Sequence, residues 1–178
     1  MDNLKKITIF GGPGTGKSTL ANNLGHTLNL PIYHLDSICH LDNWVRRDKS
    51  ERNKMILNII NQPEWVIDGT YNDTLKQRLE TSDLVIFLDF SPVDRINGIF
   101  SRYIKYRGKE RPDIPGCTEK LDVEFIKYAI NWYQSTGGRA VEILNSCHPE
   151  NLKIFKNREE VNSWFYNTFH KKMVISLD

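Results

Sequence analysis

The residues that point most directly to chemistry are Gly11-Gly12-Pro13-Gly14-Thr15-Gly16-Lys17-Ser18-Thr19. From Gly11 to Ser18 they match G-x-x-x-x-G-K-[ST], the pattern of a phosphate-binding loop. A triphosphate needs many hydrogen-bond donors at short range. Glycines let the backbone come close and turn where a Cβ would clash. The N–H groups of Gly14, Thr15, Gly16 and Lys17 can then face inward as an anion nest. A helix starting at Lys17 adds its positive end. Lys17 is expected to reach the β- and γ-phosphates of ATP, and the Ser18 hydroxyl to ligate Mg2+.

Such a loop works only between a strand and a helix, and the flanking residues supply both. Lys6-Ile7-Thr8-Ile9-Phe10 reads as a buried strand, and Leu20, Ala21, Leu24 and Leu28 recur at helical spacing over 17–29. Strand two falls on 31–35. A helix with Ser50 as N-cap carries Met55, Ile56, Ile59 and Ile60 on one face and stops before Pro63. Strand three is Trp65-Val66-Ile67, ending at Asp68-Gly69. A short helix covers 73–79, and 83–89 is a continuous apolar strand. Ser91-Pro92 opens a helix. Residues 107–118 hold two prolines and two glycines and read as a mobile loop. A long helical pattern from Val123 to Leu144 is expected to break at Gly137-Gly138. Strand five is 152–155, and a last helix carries Val161, Trp164, Phe165 and Phe169. Met173-Val174-Ile175-Ser176-Leu177 looks strand-like and has no place in this order. Strands alternating with helices predict an α/β fold with a parallel sheet, helices on both faces, and ligands at the carboxyl ends of the strands.

The loop, His34-Leu35-Asp36, Asp68-Gly69, Val85-Ile86-Phe87-Leu88-Asp89 and the following arginine-rich stretch come in an order that resembles the adenylate-kinase-like P-loop kinases. Within that group the chain looks most like the DNA topology modulation proteins, over nearly its whole length. The resemblance implies a P-loop NTPase fold in one domain, 1–178. Its five-stranded parallel sheet has order 2-3-1-4-5, with a small helical lid at about 103–120 closing over ATP.

It also implies roles at the strand ends. Asp68 takes the position of an acid that holds Mg2+ through water. Asp36 takes that of a carboxylate which binds the acceptor hydroxyl and accepts its proton, consistent with the need for a base beside the attacking oxygen. His34 is two residues before Asp36 and shares its strand face; it is expected to pack or hydrogen-bond. Arg95, in Val93-Asp94-Arg95-Ile96, resembles an arginine that stacks on adenine. Arg102, with Arg107 and Arg111 as further candidates, is expected to clamp the transferring phosphoryl group, and Arg139 to face the site from the other side of the lid. Two departures matter. After Asp68-Gly69 comes Thr70-Tyr71-Asn72, without the arginine that grips an acceptor phosphate in adenylate kinases; Arg78 follows later. The segment between strands two and three is also short. Both weaken an AMP-kinase assignment and leave room for an uncharged hydroxyl acceptor, such as a nucleoside or another small metabolite, so the expected acceptor is a small hydroxyl or nucleotide-like molecule. Tyr71, Trp44 and Trp65 offer either a stacking wall or core.

Composition narrows the alternatives. The chain of 178 residues is 39% hydrophobic and 26% charged, with a net charge of +2, ordinary for one globular domain. A charge that small does not by itself call for a polyanion partner. Arg46, Arg47, Lys49 and Arg52 read as a solvated face. No apolar run is long enough to span a membrane, and the N-terminus lacks the apolar core of a signal peptide, so a cytoplasmic location is expected. Cys39, Cys117 and Cys147 form no C-x-x-C pair, which argues against structural zinc. The leading reading is an ATP- and Mg2+-dependent kinase acting on a small molecule. The alternatives are a nucleotide-switched regulator that contacts DNA or a protein, and a plain NTPase. A DNA role finds no helix-turn-helix, zinc finger or basic tail. The oligomeric state is not readable.

Overall fold

The computed structural model describes residues 4–170. The tail 173–177 therefore lies outside the described residues. In chain order the elements are β1 (Lys6–Gly11), α1 (Lys17–Leu28), β2 (Ile32–His34), α2 (Leu35–Cys39), β3 (His40–Leu41) and β4 (Val45–Arg46). Next come α3 (Lys49–Ile60), β5 (Trp65–Asp68), α4 (Leu75–Thr81), β6 (Leu84–Leu88) and α5 (Pro92–Tyr106). The remainder are β7 (Glu110–Arg111), β8 (Ile114–Thr118), α6 (Val123–Ile130), α7 (Thr136–Cys147), β9 (Leu152–Phe155) and α8 (Arg158–Phe165).

Five strands form one parallel sheet in the order β2-β5-β1-β6-β9. Counting only these five along the chain, this is the 2-3-1-4-5 order expected from the sequence. The central strands are apolar on both sides because helices cover both faces. One core packs Leu20, Ala21 and Leu24 of α1 against Ile7, Ile9 and Ile86. The other packs Leu75, Leu79, Trp132 and Leu144 against Phe10, Val85 and Phe87. A third cluster joins α2 and α3 to Trp65 and Ile67, so Trp65 is core and not a stacking wall.

Local structure departs from the sequence reading in four places. Asp48, not Ser50, caps α3: its side chain accepts from the N–H groups of Ser50 and Glu51. The long helical pattern breaks at 131–135, around a 3-10 turn at Trp132–Gln134, and Gly137 and Gly138 lie inside α7. Gly137 is needed for close approach, since a Cβ there would come within 2.4 Å of the Trp132 ring. Strand β2 stops at His34, and Asp36 sits in the first turn of α2. The stretch 107–118 is ordered into the antiparallel hairpin β7–β8.

Candidate active site

The phosphate-binding loop joins β1 to α1 as expected. Gly14 has φ 76° and Gly16 has φ 87°, a region that favours glycine. The Thr15 hydroxyl donates to the Gly12 carbonyl at 2.9 Å. The Lys17 ammonium donates to the same oxygen at 2.7 Å. Burial lowers the Lys17 pKa, opposed by the negative charges of Asp36 and Asp68; Arg102 and Arg111 act on it in the same sense as burial. That set of neighbours is informative. It brings the loop lysine, two strand-end carboxylates and two arginines from α5 and β7 into one electrostatic neighbourhood.

Register explains the acid cluster. Asp68 ends β5 beside His34 of β2 on one side and Ile9 of β1 on the other. Its Oδ1 meets His34 Nδ1 at 2.5 Å, and its Oδ2 accepts from the Ser18 hydroxyl at 2.9 Å. Burial lowers the His34 pKa, but the hydrogen bond and charge of Asp68 outweigh it, so the imidazole pKa is raised. The two residues that sequence assigned to Mg2+ are thus in contact. A hydroxyl and a carboxylate are hard oxygen donors, and Mg2+ keeps several waters and phosphate oxygens beside one or two such groups. Among the described residues no cluster of three or more His, Cys, Asp or Glu side chains is arranged to hold a metal alone. The donor set fits a metal held jointly with a phosphate.

Asp36 accepts a hydrogen bond from the Tyr71 hydroxyl at 2.7 Å. Burial, then the Asp36 charge, push the Tyr71 pKa far up, so the phenol stays a donor. The sequence offered Tyr71 as a stacking wall or as core and gave no sign of this hydrogen bond. Its partner is set by the loop after β5, which Arg78 holds: the fully buried guanidinium donates to the carbonyls of Gly69 at 2.8 Å and Tyr71 at 3.1 Å. Arg78 is a strut of the loop and offers nothing to an acceptor phosphate.

The arginines separate into three groups. Arg102 pairs with Glu119 at 3.0 Å, and Arg111 with Asp113 at 2.5 Å; Arg111 also lies 3.7 Å from Glu119. Arg107 and Arg139 are exposed, with Arg107 over the Tyr103 ring. Arg95 is 1% exposed, its guanidinium 5.4 Å from the Trp132 ring centroid and 5.7 Å from that of Tyr133. In this conformation it presents no open face to a base. A cavity of about 400 Å3 opens instead beside Thr15, Gly16 and Thr19, walled by Leu88, Val161 and the exposed Arg158. No motif marked Arg158.

The hairpin β7–β8 is docked across the site. The Trp44 indole N–H donates to the Thr118 carbonyl at 2.9 Å, and the Trp44 backbone N–H to Cys117 Sγ at 3.4 Å. Cys117 Sγ in turn donates to the Leu41 carbonyl at 3.4 Å. Cys39, Cys117 and Cys147 are all free.

No family model matches the chain, and no curated protein matches it. Solved structures do. A shikimate kinase from Acinetobacter baumannii in complex with shikimate is 14% identical, with TM-score 0.59 over 99% of this chain and 97% of that one. A shikimate kinase from Bacteroides thetaiotaomicron is 16% identical, with TM-score 0.56 over 93% and 96%. These likenesses show the fold, an α/β P-loop NTPase fold with a five-stranded parallel sheet. No helix among the described residues is long and apolar enough to cross a membrane.

Proposed function

We propose that this protein transfers the γ-phosphoryl group of ATP to the hydroxyl of a small acceptor in an Mg2+-dependent reaction. The observation that carries the proposal is the phosphate-binding loop whose Ser18 hydroxyl donates to Asp68 at 2.9 Å, with Asp36, Arg102 and Arg111 in the electrostatic surroundings of Lys17. These groups supply the charge a phosphoryl transfer needs: cations for the phosphates and an acid on the acceptor side. The fold neighbour solved with shikimate agrees with a small acceptor. Motif order keeps the DNA topology modulation proteins as the proposed sequence relation.

The loop N–H groups of 14–17 and the α1 N-terminus bind the phosphates. Ser18 and Asp68 hold Mg2+, which when bound neutralises phosphate charge. The base occupies the cavity beside Arg158, whose cation can lie against it. Asp36, held by Tyr71, orients the acceptor hydroxyl and takes its proton as that oxygen bonds to phosphorus and the bond to the ADP oxygen breaks. Arg102 and Arg111 stabilise the charge on the transferred group. The lid, proposed at about 103–120, excludes water.

The test is ADP release with Mg2+–ATP across a panel of small hydroxy metabolites, nucleosides and nucleoside monophosphates. One acceptor should stimulate turnover, and Lys17→Ala and Asp36→Asn should abolish the stimulation. ATP binding with no stimulation by any acceptor would favour a nucleotide switch.

A further inference from the structure

The Arg111 guanidinium, assigned above to the transferred phosphoryl group, already holds an anion belonging to the chain itself. Asp113, in the turn between β7 and β8, accepts from Arg111 Nε at 3.0 Å and from a terminal Arg111 nitrogen at 2.5 Å. This two-point geometry is the one an arginine uses for carboxylate and phosphate alike. Both side chains are largely buried, at 7% and 12% exposure. The charge of the same carboxylate reaches His34 across the cleft, beside the Ser18 hydroxyl that donates to Asp68.

We infer that Asp113 is a built-in competitor of the terminal phosphate: its carboxylate takes Arg111 in this conformation, and the phosphoryl group must displace it to engage the clamp. The inference rests on the proposed ATP site. It follows from charge. A carboxylate bound to the phosphate's own donor repels a second anion arriving there, and like charges brought together cost affinity. The docked lid keeps Asp113 in place, through Trp44 on Thr118 and Cys117 and through the Arg111 guanidinium lying 5.6 Å from the Trp44 ring centroid. Glu119, 3.7 Å from Arg111 Nε, stays with the guanidinium during the exchange. The device discriminates by phosphate number: a triphosphate carries the γ-phosphate that competes with Asp113 for Arg111, and a diphosphate lacks it.

Titration calorimetry with Mg2+–ATP and Mg2+–ADP on the wild type and Asp113→Asn tests this. Removing the charge should tighten ATP binding by about tenfold, while the ADP affinity stays within about threefold. Unchanged or weaker ATP binding in Asp113→Asn, or equal gains for ATP and ADP, overturns the inference and leaves the nucleotide reading standing. A wild type that binds neither nucleotide overturns both. Should Asp113→Asn fail to fold, Asp113→Ser decides, because it also removes the charge that holds Arg111. ATP binding should tighten relative to ADP binding, and no such change overturns the inference.

Discussion

The Tyr71 hydroxyl donates to Asp36 at 2.7 Å, linking the loop after β5 to the first turn of α2. A carboxylate held at one oxygen has a fixed direction for the other. If Asp36 is the acceptor's base, Tyr71→Phe leaves the acid in place and loosens it. Turnover should fall by about tenfold with ATP KM unchanged, whereas Asp36→Asn should cost about 10²- to 10⁴-fold, the range for a general base. Equal effects of the two variants would mean that Tyr71 itself touches the acceptor. Steady-state kinetics on the stimulating acceptor distinguish the two.

Asp68 shares its oxygens between Ser18 and His34. Asp68→Asn keeps the shape and removes the charge a divalent cation needs. The Mg2+ concentration for half-maximal turnover should rise at least about tenfold, the low end of what removing support from a metal site costs. A magnesium titration at saturating ATP reads this directly. An unchanged magnesium requirement would place the metal elsewhere.

Helix α5 rests on the phosphate loop through two glycines. A Cβ at Gly98 would lie 1.9 Å from the Gly14 carbonyl oxygen. Gly98→Ala therefore has to push the loop and the helix apart, at about 1–3 kcal/mol for an overpacked contact. Urea unfolding should show a lower midpoint with an unchanged slope, and Mg2+–ATP should bind more weakly. Unimpaired nucleotide binding would show that the loop tolerates the displacement.

Arg78 ties down the chain that presents Tyr71. Arg78→Leu leaves the buried Gly69 carbonyl and the half-buried Tyr71 carbonyl without their donor, and about 3 kcal/mol of stability should be lost. Thermal melting checks the size. Were the variant fully stable but defective only toward a phosphorylated acceptor, Arg78 would be a binding residue after all.

The Arg111–Asp113 pair also sets a pH response. Burial pushes the Asp113 carboxyl up, but Arg111, with help from Ser18, holds it below its ordinary value of 3.8. A depressed folded-state value contributes stability that is fully present above the unfolded value and disappears as pH falls through the folded one. The melting temperatures of wild type and Asp113→Asn should differ at neutral pH, and the gap should begin to narrow as pH falls to the ordinary carboxylate value of 3.8 and close only below the lower folded-state value. A gap that does not narrow at all on acidification through that range would point to packing and not charge.

The phosphate loop was legible because its chemistry is local. Glycines, Lys17 and Ser18 act within one turn of chain, so their spacing carries the whole argument. The parallel sheet followed from the alternation of buried strands with helices, and its strand order from what the family resemblance implied. Asp68 was legible as a strand-end acid, since parallel strands bring their carboxyl ends to one edge, whereas Asp36 lies past the end of β2 in the first turn of α2. The partners of neither were legible. His34 meets Asp68 through strand pairing across 34 residues, and Tyr71 meets Asp36 across 35. The arginines were the least legible, because one long flexible side chain can reach several places from the same backbone position. Only packing decided that Arg78 turns inward to carbonyls, that Arg95 lies under the loop against Trp132, and that Arg111 faces the cleft holding Asp113. Sequence by itself determined the glycine-rich loop with Lys17 and Ser18 and the strand–helix frame that carries it. The tertiary structure alone decided which charges face one another, because burial and pairing depend on neighbours brought in from distant parts of the chain.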